Sequence, residues 1–133
     1  MVTRYLTIEQ VIALHKRVLE QMGWHAAPLR SENLLAPAIQ RAQAAAFYGG
    51  ADLVEQACVL AVGISQNQPF LDGNKRTATH CLVLFLDING VDYTGDEFAL
   101  ADQVLATAER EGSLEDATTQ FAAWLRERTV TRE

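Results

Sequence analysis

A polar, glycine-bearing stretch, Gln68-Pro69-Phe70-Leu71-Asp72-Gly73-Asn74-Lys75-Arg76-Thr77, runs without a break into the apolar segment Ala78 to Leu86. That junction limits the folds open to the chain. The apolar run reads as a buried helix stopping at Asn89-Gly90, a pair that tolerates the left-handed conformation in which helices end. The stretch before it is then a loop that delivers the chain to a helix N-terminus. Asp72 is the expected N-cap, and the amides of Gly73, Asn74 and Lys75 fall among the donors that a helix start leaves without intrahelical partners. Those donors, the positive end of the helix dipole and the cations Lys75 and Arg76 make an anion site. Gly73 permits the close backbone approach that phosphate-cradling loops require.

Composition narrows the classes of function. The chain has 133 residues, 49% of them hydrophobic, and no linker-like segment, which predicts one domain over residues 1–133 with a sizeable core. A net charge of −6 argues against a nucleic-acid or membrane-surface binder, either of which needs a basic face. Only two lysines occur, Lys16 and Lys75, and one of them is in the loop. No apolar run reaches the ~20 residues of a membrane span. Residues 1–20 also lack a signal-peptide apolar core, so a cytoplasmic protein is expected. Cys58 and Cys81 lie in apolar helical segments and read as reduced core thiols.

The remaining chain supplies a helical frame. Thr7-Ile8-Glu9-Gln10 is a capping box, and apolar residues at positions 8, 11, 12, 18, 19 and 22 place a first helix from about Ile8 to Met22, stopping at Gly23. His15 falls on its apolar face, where a hydrogen-bonded core histidine is expected rather than a ligand. Residues 23–30, with Pro28 inside, form a connection. Ser31 opens a second helix through about Ala45, and Phe47-Tyr48-Gly49-Gly50 reads as a turn or short flap. Asp52 and Glu55 suggest a cap for a third helix, Leu53 to Ser65, apolar on nearly all sides and therefore central. Pro69 prevents its continuation into the loop. Beyond Gly90, residues 91–95 read as an irregular link. Asp96 to Arg110 has helical spacing, and Ser113-Leu114-Glu115-Asp116 caps a last helix that turns Ala117, Phe121, Trp124 and Leu125 inward. Arg126 to Glu133 is charged and expected to fray. Trp24 and Trp124 are read as packing residues. The class expected is all-α, a bundle of about six helices with the phosphate-type loop at the start of a central buried helix.

The loop also carries a resemblance. Gln68 to Ala78 resembles the signature of the Fic/Doc family, specifically its death-on-curing (Doc) branch, His-x-Phe-x-Asp-(Gly/Ala)-Asn-Lys-Arg-Thr-Ala. Every specified position matches except the first. Lys75 follows Asn74 where the adenylyl-transferring Fic branch has a glycine. The likeness extends over about residues 5–128, from Leu6-Thr7-Ile8-Glu9-Gln10-Val11 through Leu34-Leu35 and Phe85-Leu86-Asp87-Ile88-Asn89-Gly90 to Trp124-Leu125. It implies a helical toxin of a bacterial toxin–antitoxin pair that uses ATP and Mg²⁺ to phosphorylate a threonine of elongation factor Tu and so halts translation. It implies an antitoxin partner whose disordered C-terminal segment folds as a helix on the toxin. By position, Asp72 matches the Mg²⁺ ligand, a hard oxygen donor beside phosphates. Asn74, Lys75 and Arg76 match the residues that hold the nucleotide phosphates, the Gly73 amide lies where it can assist, and Phe70 matches a buried aromatic anchor. Lys75 in place of glycine implies that the γ-phosphoryl group, rather than the nucleotidyl group, is presented for transfer.

One departure alters the functional reading. The resemblance puts the catalytic base, a histidine, at the position of Gln68, and a glutamine amide has no titratable group near neutral pH with which to take a hydroxyl proton. Losing a general base costs about 10²–10⁴ in rate, so a Doc-type kinase scaffold with absent or impaired turnover is implied. The alternatives are a non-catalytic pseudoenzyme that binds an antitoxin or another partner, and an adenylyl transferase. His80 lies about two turns beyond the loop and is not expected to replace the base.

Overall fold

Short polar residues start five of the six helices that the computed structural model describes over residues 2–23 and 29–133. Thr7 closes a reciprocal capping box with Gln10 ahead of α1 (Ile8–Gln21), and Ser31 and Asp52 cap α2 (Glu32–Gly49) and α3 (Leu53–Asn67). The exception is α4 (Asn74–Ile88), which follows Gly73. Asp96 and Ser113 then cap α5 (Glu97–Glu109) and α6 (Leu114–Arg126). Each cap oxygen accepts one of the amides that a helix start would otherwise leave unpaired.

α3 lies at the centre, as its nearly uniform apolarity predicts. It packs against α2, α4, α5 and α6, and its residues from Gln56 to Ser65 are buried except Val59. Gly63 lets α2 approach closely, since a Cβ there would stand 3.3 Å from that of Ala38. The buried Gln56 amide is satisfied on both sides: its oxygen accepts from the Tyr5 hydroxyl at 2.7 Å and its nitrogen donates to the Ala51 carbonyl at 3.1 Å. Phe70, Phe85, Leu35, Leu60, Ile64 and Leu82 are among the fully buried side chains of one continuous apolar cluster. Cys58 and Cys81 are free and buried in it, and burial pushes the Cys81 thiol up to about 12 and that of Cys58 well above its ordinary value, so both are inert thiols at neutral pH.

Four local expectations are corrected. Asp72 does not cap α4, whose N-cap is Gly73 in the left-handed region at φ 77°. Phe47, Tyr48 and Gly49 are not a turn or flap but the last turn of α2, which ends at a left-handed Gly50. The two aromatics stand in an edge-to-face pair, 81% and 85% exposed. Residues 91–95 are not irregular throughout: β1 (Val91–Tyr93) pairs antiparallel with β2 (Thr129–Thr131), with Asp92 opposite Val130. The C-terminal segment is therefore held rather than frayed, with Arg132 ion-paired to Asp87 and Asp92. Arg128 also lies over the Trp124 ring at 4.2 Å. The expected place of Trp24 and the course of Pro28 lie outside the described residues. The all-α class stands, with six helices and this short ribbon among the described residues. Among the described residues no helix is long and apolar enough to cross a membrane.

Candidate functional site

The chain reverses between α3 and α4 in the short loop from Gln68 to Gly73. Its first residue is unusual: Gln68 caps α3 in the left-handed region at φ 48°, the one non-glycine with positive φ among the described residues. Its amide donates to the Ile64 carbonyl at 3.0 Å, and its exposed side chain faces the cleft described below.

Four clamps set the loop's shape. The Asn74 side chain accepts from the Phe70 amide at 3.0 Å and donates to the Phe70 carbonyl at 2.9 Å, engaging both backbone groups of one residue. From α1, the buried His15 stacks on Phe70 with ring centroids 3.7 Å apart and donates from Nε2 to the Asp72 carbonyl at 2.8 Å. His15 is therefore a hydrogen-bonded core histidine, and its burial lowers its pKa below the ordinary 6.5 despite the opposing pull of the Asp72 carbonyl and carboxylate. From the other side, the Arg30 amide donates to the Pro69 carbonyl at 2.6 Å and its guanidinium to the Gln68 carbonyl at 3.0 Å. Finally, Gly73 sits where a Cβ would approach Leu19 Cδ2 to 2.8 Å, so both its φ and its surroundings require glycine.

The consequence is a set of groups without partners among the described residues. The Gly73 amide is engaged by Asp72 Oδ1 at 2.7 Å, contrary to its expected place among the free donors. The amides of Asn74, Lys75 and Arg76, the first three residues of α4, have no acceptor among the described residues. Neither Lys75 nor Arg76 has a carboxylate within ion-pair distance among those residues. In a chain of net charge −6, two adjacent unpaired cations at the positive end of a helix form a local anion trap.

These groups line a cleft of about 770 Å³. The end of α3 contributes Ser65 and Gln66, the loop contributes Gln68, Leu71, Asp72 and Gly73, and α4 contributes Asn74, Lys75 and Arg76. The opposite wall comes from α5, through Leu105, Ala108 and Glu109. All the residues that the sequence singles out in the motif thus meet at one cleft except Phe70, which is buried beneath it as an anchor. Asp72 is exposed and keeps one carboxylate oxygen unengaged. Among the described residues no three His, Cys, Asp or Glu side chains gather as a metal-binding group; Asp72 could supply one hard oxygen ligand to a divalent cation.

The sequence alone did not indicate the α5 wall or the parts of Arg30 and Leu19, none of which belongs to a recognisable pattern. His15 was visible as a buried polar residue, but not its partner 57 positions away.

Comparison with known proteins places the chain among relatives. The Fic/DOC family profile matches residues 5–86. The chain is also 35% identical over 115 residues to Protein kinase doc of Escherichia phage P1, an alignment covering 84% of this chain and 87% of that protein.

Proposed function

Since the chain belongs to the Fic/DOC family, we propose that it is a Doc-type toxin of a toxin–antitoxin pair, built to bind Mg–ATP and transfer its terminal phosphoryl group to a protein hydroxyl. The observation that carries this reading is the convergence at one cleft of three free α4 amides, Lys75, Arg76 and the Asp72 carboxylate. Phosphoryl transfer needs little covalent chemistry from a protein; it needs positioning and charge stabilisation. Lys75 and Arg76 supply charge and donors for the phosphate oxygens, and the amides of Asn74, Lys75 and Arg76 supply fixed dipoles. The Asn74 side chain, engaged with Phe70, keeps the loop in shape and leaves phosphate contact to its backbone amide. Asp72 would hold Mg²⁺, which would supply positive charge to offset that of the phosphates.

Gln68 lines the cleft at the position where the family signature has its histidine base. Its amide can orient a hydroxyl but cannot accept the proton, so turnover is impaired in this reading. The target is a threonine of elongation factor Tu, the neutralising partner is an antitoxin segment that folds as a helix on the toxin, and residues 1–133 act as one cytoplasmic domain. Gln68 also supports a second reading, a pseudoenzyme whose role is to bind that antitoxin or another protein.

Incubation with purified elongation factor Tu and ATP labelled in the γ-phosphate tests the first reading. Histidine is one of the side chains that tolerate the left-handed region, so the loop can accept Gln68→His at φ 48°. The substitution is expected to raise label transfer about 10²–10⁴-fold. Transfer from α-labelled ATP instead would identify an adenylyl transferase. Absence of transfer by either chain would leave the pseudoenzyme reading.

A further inference from the structure

The last turn of α3 is pinned on both sides. Gln66 Nε2 donates to the Ala108 carbonyl of α5 at 3.2 Å, and Asn67 Nδ2 donates to the Leu34 carbonyl of α2 at 2.9 Å. Ser65, the residue before them, borders the cleft that holds Lys75 and Arg76. It is only 7% exposed, yet its hydroxyl has no hydrogen-bond partner among the described residues. A buried hydroxyl on a helix ordinarily bonds the carbonyl four residues back. Thr79, Thr107, Thr118 and Thr119 all do so in this chain, at 2.7–3.0 Å, and Ser65 does not. Nor is its oxygen sealed in: among the described residues, Thr77 Oγ1 is the one side-chain polar atom both shut from the surface and unpaired. The Ser65 hydroxyl is thus a spare donor that opens on the cleft.

We propose that Ser65 is a further substrate-binding residue, whose hydroxyl donates a hydrogen bond to an oxygen of the terminal phosphoryl group of the bound nucleotide. The inference rests on the nucleotide reading of the cleft. Ser65 and Gln68 are three positions apart at the end of α3, so they share one side of its last turn, and both border the cleft. Lys75, Arg76 and the first amides of α4 border it from the other helix. In that reading the acceptor hydroxyl enters beside Gln68 and the phosphates rest on α4. The group between them is the phosphoryl in transfer, and it is the part of the nucleotide nearest to the end of α3.

The chemistry suits this place. A phosphoryl group in transfer spreads its charge over three oxygens, and the cations and amides of α4 approach it from one side. A hydroxyl on α3 adds a donor on another side without adding charge, and its proton rotates to suit the acceptor. Burial without a partner costs free energy in the empty protein, and an incoming phosphate oxygen supplies the missing acceptor. The bonds made by Gln66 and Asn67 fix the backbone on which Ser65 sits, so little further ordering is needed on binding.

The test is equilibrium titration of ATP and ADP, with Mg²⁺ throughout, against the unchanged chain, Ser65→Ala and Ser65→Cys. The cysteine variant keeps a side chain of similar shape but is a much weaker donor. Both substitutions are expected to weaken ATP about tenfold, the loss of one hydrogen bond to a charged acceptor, and to leave ADP unchanged. Phosphorus NMR of bound ATP should show the γ resonance moving in Ser65→Ala while the α resonance stays. The urea midpoint of Ser65→Ala should match that of the unchanged chain, because the hydroxyl makes no bond within the described protein. ATP affinity equal in all three chains would overturn the assignment and leave the phosphate site standing. Equal weakening of ATP and ADP would also overturn it, because the effect would then be on the cleft as a whole. Failure of both nucleotides to bind the unchanged chain would overturn it together with the nucleotide reading.

Discussion

His15 Nε2 donates to the Asp72 carbonyl at 2.8 Å, joining the middle of α1 to the residue that precedes the α4 cap. This bond, with the stacking of the same ring on Phe70, fixes the loop from below while its upper face stays open to the cleft. Burial depresses the His15 pKa below 6.5 in the folded chain, against the smaller opposing effect of Asp72. The unfolded chain therefore takes up a proton that the folded chain refuses as pH falls below that ordinary value. Stability should decline through this range and level off once the lowered folded pKa is passed; above the ordinary 6.5 both states are neutral and the contribution is constant. Urea midpoints measured between about pH 7.5 and 5 for the unchanged chain and for His15→Gln should diverge on acidification, with the unchanged chain falling more steeply. Parallel curves would contradict the assignment.

Gly73 should tolerate no side chain. Placing a residue with a Cβ at φ 77° costs about 1–3 kcal/mol in backbone strain, and the new atom would lie 2.8 Å from Leu19 Cδ2. Leu19 is itself buried and has little room to yield. Chemical denaturation of Gly73→Ala is expected to show a loss of at least that backbone cost. A loss below about 0.5 kcal/mol would mean that the loop adopts another conformation in solution.

Asn74 should behave as a structural amide. Asn74→Ala leaves the amide and carbonyl of Phe70 without their partners, and a net loss of about 2–3 kcal/mol follows from two unmade bonds in a partly buried place. Asn74→Asp keeps the acceptor for the Phe70 amide but sets a carboxylate against the Phe70 carbonyl, so it is expected to recover none of that loss. Equal stability of Asn74→Asp and the unchanged chain would refute the two-bond clamp.

What could be read from the sequence was what is local. The caps at Thr7, Ser31, Asp52 and Ser113 are legible because each acts within one helical turn. α3 is legible because a helix apolar on most sides has only one place to go. The α4 cap was misplaced because the carbonyl of Asp72 is claimed by His15 and its carboxylate by the Gly73 amide, and the first of these contacts is remote in sequence. The end of α2 was misplaced because Gly49 stays helical and the chain turns only at Gly50. The β1–β2 ribbon was invisible because three residues are too few to show alternation and Val91 finds its partner at Thr131. In the site itself, the contiguous motif disclosed the residues at the cleft. It could not disclose Arg30 and Leu19, which hold the loop, or the α5 wall, because those residues meet the motif only through tertiary packing.

The central claim is that Asp72, Lys75, Arg76 and the first amides of α4 form a working Mg–nucleotide site. The most direct test is calorimetric titration of the unchanged chain with Mg–ATP beside Lys75→Ala and Asp72→Ala. Saturable one-site binding is expected, weakened about 10–100-fold by Lys75→Ala through loss of a charged donor and deprived of its Mg²⁺ dependence by Asp72→Ala. No heat at millimolar nucleotide, or the same affinity in the unchanged chain and Lys75→Ala, would contradict the claim.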